Sequence, residues 1–147
     1  MTAVLTQEGA VTVGGKRMPL DVEGLLAHRQ PRVVARYAAE HQVSLEEAEV
    51  VFQETKKFLA VCAVWRGEDF APSEQQDEMW HNFILFTVDY TNFCKQFFGG
   101  YIHHVPCDGT RASTEGCPLK QKAVDIFGEI TSELWVRGPD LRCCGYC

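Results

Sequence analysis

The stretch "DEMWH" sets Asp77 and His81 four residues apart, and "FGGYIHHVP" places His104, beside His103, twenty-three positions beyond His81. On a helix, residues i and i+4 share a face with their Cβ atoms about 5–6 Å apart. A carboxylate and an imidazole so placed can ligate one metal ion, transfer a proton, or close on each other as a pair that fixes helix packing. These three readings stay open on spacing alone. His103, next to His104, points elsewhere on alternation and reads as a solvated loop residue.

The elements that must position these side chains are legible from caps and apolar stripes. Pro31 suits the first helical position of "PRVVARYAAEH", where Val33, Val34, Tyr37, Ala38 and His41 fall on one side. Ser44 with Glu47 forms a capping box at the head of "LEEAEVVFQETKKFLAVCAVW". In that helix Leu45, Ala48, Val51, Phe52, Phe58, Leu59 and Cys62 make an apolar stripe. Ser73 with Gln76 repeats the capping logic before "EQQDEMWHNFILFTVDYTNFCKQFF", a run that is apolar nearly all round and ends at Gly99-Gly100. A last helix is expected after Pro118, carrying Ala123, Ile126, Phe127, Ile130 and Leu134.

The pattern D-x-x-W-H-x-x-x-L-x(4)-Y-x(8)-G-x(4)-H is filled by Asp77, Trp80, His81, Leu85, Tyr90, Gly99 and His104. It resembles the conserved block of the plant glycine-rich domain proteins and their shorter bacterial relatives, and "KKFLAVCAVW" and "PSEQQD" are similar to that family's lead-in. The chain departs from the pattern at Phe83, where the plant members carry a second histidine, and it has no glycine-rich tail. The resemblance implies no defined activity.

Reach limits what His104 can do. An unbroken helix from residue 81 to 98 rises about 26 Å, and six extended residues from 99 to 104 return at most about 20 Å. A site joining His81 to His104 therefore requires the helix to stop or kink early, near "TVDYTN", whose Thr87, Val88, Thr91 and Asn92 are mediocre helix formers. Without a break, His104 caps the helix end or contacts Tyr90 or Cys94. If the Ser44 and Ser73 helices form an antiparallel hairpin, Cys62 comes near Asp77 and His81 as a further metal ligand, although a lone cysteine in an apolar stripe is more often plain core. Trp80, Tyr90 and Cys94 are the supporting residues of such a site.

There are seven cysteines, and five of them follow residue 106. Cys107, Cys117, Cys144 and Cys147 could form a four-thiolate structural zinc site, with the final C-G-Y-C as a knuckle. A loose reduced tail or a metal-delivery arm reads from the same residues. A thioredoxin-like role is disfavoured, because no helix follows the first cysteine of that motif.

Composition narrows the rest. At 147 residues the chain fits one domain with a sizeable core. A formal charge of -6 and a pI near 5.3 offer no basic stripe for nucleic acid or anionic membrane. No stretch approaches the roughly 20 apolar residues of a membrane span, and the start lacks a secretion signal, so a cytoplasmic setting with reduced thiols is expected. No phosphate-binding glycine loop or nucleophile elbow is present.

The sequence predicts an all-α fold, a single helical bundle over residues 1–147. Residues 1–20 form a hairpin or flexible arm, 105–118 a loop and 137–147 a cysteine-rich tail. The leading functional reading is a small cytosolic protein binding zinc or iron at Asp77 and His81, completed by His104 or Cys62. The alternative is a non-catalytic interaction module with a protein partner and a structural cysteine zinc site, and a weaker third is a proton-transfer enzyme built on Asp77 and His81.

Overall fold

The computed structural model describes residues 4–5, 10–13, 16–68, 70–105 and 119–135, with side chains from residue 18 onward. Helices dominate it, as the apolar periodicity predicts. At the N-terminal end, where a hairpin and an arm were both open, β1 (Val4–Leu5), β2 (Ala10–Val13) and β3 (Lys16–Pro19) form an antiparallel meander in that order. Val4 opposes Thr12, and Val11 opposes Met18.

The helices are α1 (Val22–Ala27), α2 (Pro31–His41), α3 (Leu45–Val64), α4 (Glu74–Leu85), α5 (Thr87–Phe98) and α6 (Leu119–Phe127), followed by a 3-10 turn at Glu133–Trp135. α3 is the central rod, and α1, α2, α4 and α6 all pack on it. Its stripe is buried as expected from Ala48 to Cys62, but Leu45 is 62% exposed. As the first residue of the helix, Leu45 lies beyond the neighbours that cover the rest of the stripe.

Both capping boxes form. Ser44 accepts from the Glu47 N–H while the Glu47 carboxylate accepts from the Ser44 N–H, and Ser73 and Gln76 repeat the exchange. Gln76 does more than cap, since its side-chain amide also donates to the Glu54 carbonyl at 3.2 Å and ties the start of α4 to α3. Asn82, nearly two turns further along, donates to the Val33 carbonyl and accepts from Arg36. These bonds set the roll of α4, which turns Met79, Trp80 and Phe83 into the core and leaves Asp77 and His81 at the surface.

The long helix expected from Glu74 to Phe98 is two helices. Phe86, at φ −84° and ψ 67°, leaves helical geometry. Its N–H donates to the Phe83 carbonyl, and its own carbonyl accepts from the Tyr90 N–H. One residue thus closes α4 and opens α5. α5 ends where Gly99 takes a left-handed φ of 70°, a conformation glycine adopts without steric cost.

A buried cation ties α1 to α3. Lys56 has no exposed surface, and its ammonium donates to the carbonyls of Leu25, Leu26 and His28 at 2.8, 3.2 and 2.8 Å. These carbonyls lie at the end of α1, where helix carbonyls run short of backbone donors; that of Leu25 also accepts from the His28 N–H. Burial lowers the Lys56 pKa from 10.5 to about 8, with Glu49 working the other way. Between those values the unfolded chain holds a proton that the folded chain has released, so stability rises with pH from about 8. Cys94, pushed up by burial, acts in the opposite sense from about 9 upward, and Tyr37, Tyr90 and Tyr101, pushed up likewise, from about 10. Thermal melts are therefore expected to shift upward between pH 7.5 and about 9, level off, and fall above about 10, and Lys56→Met should lose the upward part.

Candidate metal centre

The break at Phe86 is what lets the two ends of the motif meet. With α4 and α5 folded at that residue, the segment 99–105 returns along the helices, and hydrogen bonds from Arg66 and Tyr90 hold it there. Arg66, just past the end of α3, donates to the carbonyls of Phe98 and Gly100 at 3.3 Å and of Tyr101 at 3.5 Å. The Trp80 indole N–H donates to the Tyr90 hydroxyl at 2.9 Å, and that hydroxyl donates to the Ile102 carbonyl at 2.5 Å. Trp80, Tyr90 and Ile102 are all buried. Two residues beyond Ile102, the His104 ring lies on Trp80 with centroids 4.1 Å apart.

His104 Nε2 then sits 2.7 Å from Asp77 Oδ1 and 2.8 Å from His81 Nε2, and the latter two atoms are 3.6 Å apart. A ring nitrogen presents one proton or one lone pair in its plane. One proton on His104 Nε2 cannot lie along both short contacts. If it points to Asp77, His81 is left facing a nitrogen with no lone pair to accept from. If His81 donates instead, the bare nitrogen of His104 faces a carboxylate oxygen.

A single cation between the three atoms resolves the conflict. A triangle with these sides has a circumscribed radius of about 1.8 Å, less than the roughly 2.0–2.1 Å of a zinc–nitrogen bond. Asp77 Oδ1, His81 Nε2 and His104 Nε2 would together hold such an ion. Two imidazoles and one carboxylate are a common first-row metal ligand set. Side-chain exposure rises from 11% at His104 through 37% at Asp77 to 57% at His81, so the group is walled on the Trp80 side and open to water on the other.

Of the four metal ligands expected from the sequence, Asp77, His81 and His104 converge, and among the described residues they are the group of His, Cys, Asp or Glu side chains placed to hold an ion. Cys62 is not part of it. That residue is fully buried in α3 and disulfide-bonded, which corrects the expectation of reduced thiols throughout. Cys94 is a buried free thiol lying against the Tyr90 hydroxyl and the Ile102 backbone, so it supports the returning segment instead of reaching the triad. His103 is exposed and packs on Tyr101, with ring centroids 4.6 Å apart. Cys107, Cys117, Cys144 and Cys147, with the loop and tail that carry them, lie outside the described residues. Sequence reading missed Arg66, whose only signal is a cation directly after a long helix.

Fold and site together define a mostly helical protein with an Asp/His/His group on its surface. It belongs to the UCP032817-like family, whose model matches residues 26–117, more than half of the chain. The family description carries no activity. This match overturns the resemblance to glycine-rich domain proteins. The residues behind that resemblance all lie inside the matched segment, and Trp80, Tyr90 and Gly99 among them serve packing and the helix end, roles that do not identify one family. No curated protein and no solved structure matches the chain significantly. Among the described residues, no helix is long and apolar enough to cross a membrane.

Proposed function

We propose that Asp77, His81 and His104 bind one divalent transition-metal ion, with zinc as the first reading. The observation that carries this is the approach of two imidazole nitrogens and a carboxylate oxygen to within bonding reach of one point. Zinc sites with three protein ligands keep a further position for water, which the metal acidifies to a pKa near 7. The solvent-facing side of the triad supplies that position. A second reading, iron(II), is favoured by the exposure of His81, because a facial pair of histidines with one carboxylate and several open positions suits non-haem iron.

Cobalt(II) titration of the metal-free protein tests the reading. We expect saturation near one equivalent with visible d–d bands, and no thiolate charge-transfer absorption if the ligands are these nitrogen and oxygen donors. A spectrum that stays that of free aqueous cobalt would reject the proposal. Zinc at about 100 times its Kd should also stabilise the folded chain by about 2.7 kcal/mol, read as a rise in Tm.

A further inference from the structure

We infer that Tyr90 is the positioning residue of this centre: its hydroxyl latches the segment carrying His104 onto α4. The inference rests on the metal reading for its functional meaning but not for its test. Tyr90 has no exposed surface and stands on α5, away from the triad. Its oxygen accepts from Trp80 on α4 and donates to the carbonyl of Ile102, two residues before His104. One hydroxyl therefore joins the helix that carries Asp77 and His81 to the strand of chain that carries His104.

The same bond fixes the floor and the ligand together. Trp80 is held by its N–H, and its ring is the surface on which His104 lies. Phe58 and Phe83 close edge-on against Trp80 and Tyr90 respectively, so the latch has little freedom to tilt. Arg66 pins residues 98–101, but no bond from Arg66 reaches beyond Tyr101. Without the Tyr90 hydroxyl the Ile102 carbonyl loses its bond and only the buried Ile102 side chain and the Cys94 thiol still hold that point, while Asp77 and His81 keep their places on α4. A metal ion would then find two ligands in position and the third less firmly held.

Two measurements on Tyr90→Phe test this. In the metal-free protein, His104 ring protons should be shifted by the Trp80 ring current in NMR spectra, and Tyr90→Phe should return them toward free-histidine values. In zinc titrations the same variant should raise Kd by up to about 10-fold, the low end of the cost of removing a ligand's own outer partner, since Tyr90 acts through Ile102 and Trp80. Ile126→Ala, a core change on α6, serves as the control for general loss of stability and should leave both readouts in place. Unchanged His104 shifts in Tyr90→Phe would overturn the inference, whether or not the chain binds metal. If the shifts collapse but the wild-type protein takes up no zinc, the latch stands and the metal reading falls.

Discussion

Replacing His104 by alanine is expected to weaken zinc binding by more than about 100-fold, beyond the roughly 10- to 100-fold cost of losing an outer partner. His104 is the hinge of the triad, since its Nε2 makes both short contacts and the other two atoms stand further apart. Its removal leaves Asp77 and His81 as a surface i, i+4 pair of the kind worth only a few tenths of a kcal/mol. The fold should tolerate the change, because His104 lies at the edge of the core on a segment held by Arg66 and Tyr90. Calorimetric zinc titration beside a thermal melt separates the two effects. A His104→Ala protein that still binds zinc as tightly as wild type would show that the ligands lie elsewhere.

Trp80→Ala is expected to have the largest effect on stability, about 3–5 kcal/mol, the range for emptying a large aromatic from a core. Trp80 is 2% exposed and packs on Phe58, and its indole N–H holds the Tyr90 hydroxyl. The change opens a cavity against α3 and also removes the surface under His104. Urea denaturation should show a lower midpoint, and zinc affinity should fall with it. A cost below about 1 kcal/mol would mean that the site collapses readily onto the space, contrary to the packing described.

Much of the scaffold was readable because caps and stripes are local. Ser44 with Glu47 and Ser73 with Gln76 announce their helices within four residues, and Gly99 marks an end by its freedom at positive φ. The break at Phe86 was not readable in that way. Leu85, Phe86 and Thr87 differ in helix propensity by only tenths of a kcal/mol, so tertiary bonds decide the outcome. The Tyr90 latch and the Arg32 guanidinium 5.5 Å from the Phe86 ring centroid belong to that set.

The candidate site followed the same division. Asp77 and His81 could be paired from their spacing, whereas His104 could be added only if the helix broke, a condition the sequence states but does not decide. Cys62 was placed well as core and poorly as a ligand: burial follows from the apolar stripe, while its covalent bond depends on a residue that spacing does not reveal. The mistaken family resemblance has a related origin. Trp80, Tyr90 and Gly99 answer to packing and to a helix end, and such needs recur in unrelated chains.

The most direct test of the metal centre is elemental analysis of protein purified without added metal, comparing wild type with His81→Ala and Cys144→Ala. The account predicts about one zinc or iron per chain in wild type, lost in His81→Ala and retained in Cys144→Ala. Metal that survives His81→Ala, or a wild-type chain with none, would contradict it.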